Sequence, residues 1–202
     1  MVGKSGGIIN KEMKRKMNQL FEEQRNTHIL YPYKEKTNYF NQVLSFIEDG
    51  ISAGDYVILV ENDRNYPIIH KELRARLTVE QMEMVHFVNS FIFYRSSGSY
   101  HPSAIEAYFI KMVQPYVENK ITFRVWSRVE WASMVEPLHL IKDFEEIADQ
   151  AVTLLSFPLI CAYEAKRMPD YLNKILLETH AYILQDDDLI ISEDYQPTNV
   201  VK

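Results

Sequence analysis

The stretch Phe123-Arg124-Val125-Trp126-Ser127-Arg128-Val129-Glu130-Trp131 concentrates two arginines, a glutamate and two tryptophans at the end of a β-like run. Guanidinium groups in such a place bind an anion or pair with carboxylates such as Glu130 or Glu145. Trp126 or Trp131 would wall an apolar pocket. The competing reading is an internal ion pair beside a core tryptophan. Cys161, the only cysteine, lies in the apolar run Leu159-Ile160-Cys161-Ala162-Tyr163. A thiol there reads as inert packing, with a redox-sensing role as the alternative. The histidines (28, 70, 86, 101, 139 and 180) are dispersed, so they read as hydrogen-bonded structural residues. Metal ligation by His28 and His180 would require the fold to bring them together. Neither a Gly-x-Ser-x-Gly elbow nor a His-Glu-x-x-His pair is present.

Nucleotide chemistry is poorly supported. Gly3-Lys4-Ser5 mimics the end of a phosphate-binding loop, but it lacks the earlier glycine and has no strand before it. Such a loop belongs after the first strand. There the chain reads Tyr31-Pro32-Tyr33-Lys34-Glu35-Lys36-Thr37-Asn38. Lys36 and Thr37 stand side by side, yet no glycine lets the backbone approach a phosphate. A different small molecule is expected at this strand end, because open α/β sheets bind ligands beyond the carboxyl ends of their strands.

The elements that would position these residues follow from periodicity. Met13, Met17, Leu20 and Phe21 define an amphipathic leader helix over 10–25. A strand over 28–31 is expected to end at Pro32. A helix over 38–49 is expected to stop at Gly50. Strands follow at 55–60, 84–89, 121–126 and 158–163. Helices are expected at 68–77, from Pro102 with a kink or stop at Pro115, at 143–155 from the near capping-box pair Asp143 and Glu146, and from Pro169 to Glu178. Segments 181–185 and 189–192 flank Asp186-Asp187-Asp188 as an acidic hairpin. This alternation predicts a three-layer α/β fold with a mostly parallel sheet.

Composition sets the outer limits. A length of 202 residues suits one domain, and 47% hydrophobic content supports a core. A net charge of −6 argues against a nucleic-acid surface, apart from the basic start at Lys4, Lys11, Lys14, Arg15 and Lys16, which reads as a solvated helix face. One cysteine excludes an internal disulfide and fits a reducing compartment. With no membrane span and no secretory signal in the sequence, the expected location is the cytoplasm.

An ordered series of residues carries a family resemblance. It runs His28-Ile29-Leu30-Tyr31, Gly50-Ile51-Ser52-Ala53-Gly54-Asp55, Phe123-Arg124 with Glu130-Trp131, Phe144-Glu145, Leu159 to Glu164, and His180. The series resembles the MEDS domain, the methanogen and methylotroph sensory domain of DcmR-type regulators. The resemblance implies a RecA- or KaiC-like core without the nucleotide loop, acting as a sensory module in transcription or signal-transduction control. Glu61 would then stand where such ATPases place a catalytic glutamate; its residue context reads instead as a solvent-facing polar cap. The expected organisation is an N-terminal helix (1–25), a sensory domain (26–195) and a flexible tail (196–202). The expected function is non-enzymatic. A small molecule would bind near His28, Tyr33, Lys36, Thr37, Glu61, Arg124, Glu130, Trp131, Cys161 and Tyr163, without a cofactor or metal. Signalling would pass to a regulatory protein partner, with no direct contact to nucleic acid or membrane. A degenerate nucleotide-binding protein or ATPase and a homo-oligomeric scaffold are the alternatives.

Overall fold

The structure, a computed structural model, describes residues 10–131 and 138–197. The Gly3-Lys4-Ser5 tripeptide and most of the expected tail lie outside them. In chain order the elements are α1 (Lys11–Glu23), β1 (His28–Tyr33), α2 (Lys36–Ser52), β2 (Tyr56–Glu61), α3 (Tyr66–Arg74), α4 (Val79–Met82), β3 (Val85–Asn89) and α5 (Ser90–Tyr94). Then come α6 (Pro102–Glu118), β4 (Phe123–Arg128), α7 (Leu138–Leu155), β5 (Leu159–Glu164), α8 (Asp170–Thr179), β6 (Tyr182–Leu184) and β7 (Leu189–Ile191).

The strands form one seven-stranded sheet in the order β3-β2-β4-β5-β1-β6-β7. All pairings are parallel except β6 with β7, which is antiparallel. Helices cover both faces, so the expected three-layer architecture is present. Residues alternate between faces along each strand. Leu30, Val125, Cys161 and Tyr163 face α5, α6, α7 and α8 in one core cluster. Ile29, Tyr31, Trp126 and Ile160 face α1, α2 and α3 in the other. The leader helix therefore belongs to the core: Met13, Met17 and Phe21 are buried. Its basic face is partly used in ion pairs, Lys14 with Asp49 and Lys16 with Asp188, both at 2.8 Å.

Several boundaries differ from expectation for definable reasons. Pro32 does not end β1. Pairing with β6 stops at Leu30, so the proline's missing N–H falls where only the β5 side is paired. Pro115 does not end α6, since the lost bond lies in the last turn. The Pro115 carbonyl is held there by the Asn119 N–H at 3.2 Å and its side-chain amide at 2.7 Å. Asp143 and Glu146 lie inside α7 and do not cap it. Gly50 does not stop α2, which continues to Ser52. The positive backbone angle comes later, at Gly54 (φ 84°).

Gly50 has a packing role. A Cβ at this position would lie 2.8 Å from both Arg124 Cδ and Val57 Cγ2. The arginine stem cannot move aside freely because its head is fixed on Asp55. Gly50→Ala is expected to cost about 1–3 kcal/mol despite alanine's better helix propensity. Urea unfolding measures this; an unchanged or raised midpoint would show that α2 shifts to accommodate the methyl group.

Candidate functional site

The expected ligand residues do not form one site. They fall into three groups, two on the α1–α3 side of the sheet or at its carboxyl end and one under the opposite face, with Lys36 and Thr37 outside all three.

The first group is at the amino end of β4. Arg124 is buried and donates from Nε and Nη2 to Asp55 Oδ2 at 2.9 and 2.7 Å. Arg25 donates to the same oxygen at 3.0 Å and to the Phe123 carbonyl at 2.8 Å. Burial alone would raise the Asp55 carboxyl; the Arg25 hydrogen bond and the Arg124 charge override it and hold the group below the ordinary aspartate range. Arg124 also lies over the rings of Phe21 and Phe46. This is an internal ion pair, on the face opposite Cys161.

The second group occupies the carboxyl ends of β1, β2 and β4, where a ligand crevice was expected. Arg128 pairs with Glu130 and donates from Nε to the Tyr33 hydroxyl at 3.1 Å. Glu61 and Glu164 lie 3.9 Å from the same guanidinium. Glu61 is fully buried, so it is not the solvent-facing cap read from the sequence. It accepts from the Tyr39 hydroxyl, the Asn62 N–H at 2.7 Å and the Asn65 amide at 3.2 Å. Ser90 and Asn62 engage Glu130. The protein's own side chains therefore form a connected polar network at these strand ends. Lys36 and Thr37 are exposed on the first turn of α2 and take no part in the network. Trp131 carries Arg167 over its ring at 4.5 Å, and its ring centroid is 6.5 Å from that of Tyr163.

The third group lies under the opposite face, between the sheet and α7. It brings together His28, Cys161 and Tyr163 with three residues from other elements: Glu145 and Asp149 of α7 and His180 after α8. His28 Nε2 is 3.3 Å from Glu145 Oε2 and 3.5 Å from Cys161 Sγ. His180 Nε2 approaches the same Glu145 oxygen at 3.5 Å. The two imidazoles lie 3.9 Å apart at 34°. The Tyr163 hydroxyl donates to Glu145 Oε1. His28, Glu145, Cys161 and His180 are all fully buried, and one ligand atom from each lies within 4.8 Å of the others. These are the described residues able to hold a metal ion.

Electrostatics divides the two histidines. Burial would lower His28, but its contacts to Asp149 and Glu145 win and push it up to about 9. Burial beside the His28 cation pulls His180 down to about 3. Burial would raise Glu145, and the His28 cation with the Tyr163 hydroxyl holds it below the usual carboxylate range. Burial pushes the Cys161 thiol well above its ordinary value. A resting thiolate is therefore disfavoured, against a free redox-active role for Cys161.

A cavity of about 40 Å³ adjoins this group. Phe93, Ile105, Phe109, Phe144 and Ala148 wall it, and Ser127 and Cys161 lie on its sheet side. Exposed Glu106 and half-buried Ile147 mark its mouth. A water molecule needs about 10–15 Å³ on this measure, so the space suits a molecule of a few heavy atoms. Its place is the middle of the sheet face, away from the carboxyl-end crevice.

In the sequence Glu145 stands out as an arginine partner and as part of the Phe144-Glu145 pair in the family series, and Asp149 not at all. One signal was available. The two acids are four residues apart and interrupt the apolar stripe Ile141, Phe144, Ala148 and Val152 of one helix. A buried carboxylate pair at i, i+4 demands partners.

The fold and this buried group define a helix-covered α/β module with a small internal cavity. The MEDS model (MEthanogen/methylotroph, DcmR Sensory domain) matches residues 27–181. The match spans well over half of the chain, and the protein belongs to this sensory family. No curated protein matches the chain. Among the described residues, no helix is long and apolar enough to cross a membrane.

Proposed function

We propose that this protein is a non-enzymatic sensor that takes a small, mostly apolar molecule into the cavity beside Cys161 and reports it to a regulatory protein by contact. The cavity carries this reading. It is small and walled by apolar side chains, and it ends on a buried polar group. Membership of a sensory family supports the same role. A buried free thiol fits a cytoplasmic setting.

The output has a physical route. Helix α5 turns Phe93 into the cavity and exposes Phe91 and Ile92 on its outer side. A shift of Phe93 on ligand entry moves that exposed pair, which offers a partner an apolar contact.

Thermal unfolding in the presence of one- and two-carbon alcohols, halides and amines tests the proposal. A ligand at one hundred times its dissociation constant adds about 2.7 kcal/mol. In a chain of this size that raises Tm by roughly 5–10 °C. Ala151→Leu, which fills the cavity, is expected to abolish the shift while the protein stays folded. Hydrogen exchange should slow over residues 90–100 when the ligand is bound. A shift that persists in the filled variant would place the ligand elsewhere.

A further inference from the structure

We propose that His28, Glu145, Cys161 and His180 form a four-coordinate site for a divalent transition-metal ion of the zinc class. The donors are His28 Nε2, His180 Nε2, Glu145 Oε2 and Cys161 Sγ. The site stands whether or not the cavity takes a ligand.

Spacing is the first argument. Zinc bonds of about 2.0–2.1 Å to nitrogen or oxygen and about 2.3 Å to sulfur place tetrahedral donors roughly 3.3–3.6 Å apart. Three of the six separations lie in or beside this range, 3.3 Å for His28 to Glu145, 3.5 Å for His180 to Glu145 and 3.5 Å for His28 to Cys161, and all four donors lie within 4.8 Å of one another.

Orientation is the second. A ligating histidine is fixed by what its other nitrogen touches. His180 Nδ1 donates to the Leu176 carbonyl at 2.8 Å, which leaves the Nε2 lone pair free. His28 Nδ1 faces Asp149 Oδ1 at 3.4 Å, and the Tyr195 hydroxyl donates to Asp149 in turn. Tyr163 holds the second oxygen of Glu145. Glu145 and His180 are thus held from behind by hydrogen bonds, and His28 by its approach to the Asp149 carboxylate without one.

The third argument is what the donors lack. Glu145 Oε2 and His180 Nε2 are buried and make no hydrogen bond among the described residues. A purely structural network would pair them, since each orphaned buried polar atom costs about 1–3 kcal/mol. One proton on His28 Nε2 satisfies the carboxylate but leaves the His180 lone pair pointing at the same oxygen. A cation between the rings answers every donor at once. Among the four donors the charges close, since a divalent ion, one thiolate and one carboxylate sum to zero; the Asp149 carboxylate stays outside them, facing His28 Nδ1 and accepting from Tyr195. Mixed nitrogen, sulfur and oxygen donors select a borderline-soft ion over magnesium or calcium. On binding, the Cys161 thiol and the His28 imidazolium release their protons to solvent.

Cobalt replacement in the full chain tests the site. After chelator treatment and Co²⁺ addition, we expect uptake of about one equivalent. Intense tetrahedral d–d absorption and a thiolate-to-cobalt charge-transfer band in the near ultraviolet should appear. Cys161→Ser should remove the charge-transfer band, with Cys161→Ala as the second variant if the serine is not tolerated. Asp149→Asn, which changes the group behind His28 and none of the four donors, should weaken affinity about 10- to 100-fold with the band retained. The cavity-filling Ala151→Leu should leave the cobalt spectrum unchanged, so loss of small-molecule binding and loss of metal are read separately. Failure of the folded protein to take up stoichiometric cobalt, or a spectrum identical in Cys161→Ser, would overturn the proposal.

Discussion

Asp55→Ala is expected to destabilise the protein by about 3–5 kcal/mol, because it leaves a buried guanidinium without its counter-charge. Arg124 is 3% exposed, and Asp55 accepts two of its hydrogen bonds. Its remaining nitrogen, Nη1, is already buried without a partner, so no spare interaction takes up the charge. Arg25 adds a second positive group to the same pocket. Replacing both members of the pair tests whether the loss arises from the stranded charge. Asp55→Ala with Arg124→Met should recover a large part of it, since an apolar pair of similar volume removes the desolvation cost. The pH dependence has a defined sign. The Asp55 carboxyl is held below its ordinary value in the fold. Its contribution is therefore complete above about pH 4 and is lost as pH falls through the folded value. Urea unfolding between pH 3 and 7 should show wild type and Asp55→Ala converging at the acid end. A constant difference across that range would assign the loss to packing and not to charge.

The sequence made the layers legible because their signals are local. Apolar runs such as Val57 to Val60 mark doubly covered strands, and the stripe Met13, Met17 and Phe21 marks α1 as a core helix. Boundaries failed where a neighbour in space decides the outcome. Gly50 reads as a stop from its own propensity, but it is there to admit the stem of Arg124 from β4. Pro32 reads as a breaker, but the strand beside it has already ended.

The candidate site was legible only in fragments, for the same reason. His28, Cys161 and Tyr163 were picked out, yet nothing along the chain separates them from Tyr33 or Arg124. The sheet does so, because alternate residues face opposite layers. Leu30 pairs with Cys161 across β1 and β5, so His28, two residues earlier, shares the cysteine's face. Tyr33 takes the other. His180 joins them because β6 docks beside β1 and places the residues before it against the same helix. The rule that ligands sit beyond the strand ends pointed to a place where Arg128, Glu61 and Tyr33 join one side-chain network.

Whether the expected crevice is closed has a direct energetic test in Arg128→Ala. Arg128 touches Glu130, Tyr33, Glu61 and Glu164 from a nearly buried position. Its removal leaves the fully buried Glu61 and the adjacent Glu130 without a cation, and a loss of about 3–5 kcal/mol is expected. Arg128→Lys should restore only part of this, since one ammonium cannot reproduce the planar fork that reaches Glu130 and Tyr33 together. Burial already raises the Glu61 carboxyl, with Tyr39, Asn62 and Arg128 pulling it back. Without Arg128 the folded value rises further above that of the unfolded chain. Between those two values folding takes up a proton, so stability increases as pH falls. The variant's deficit should therefore shrink between pH 7 and pH 5, in the same direction as the Asp55→Ala deficit but because a stranded carboxylate is relieved and not because a favourable one is lost. Chemical denaturation of wild type and variant at both pH values measures it. A deficit below about 1 kcal/mol, the same at both, would be that of a solvated surface pair. The carboxyl-end crevice would then be open, and the ligand would belong there and not beside Cys161. A large, pH-dependent deficit instead makes Arg128 the protein's own occupant of that crevice, which leaves the cavity under the sheet as the space for a small molecule.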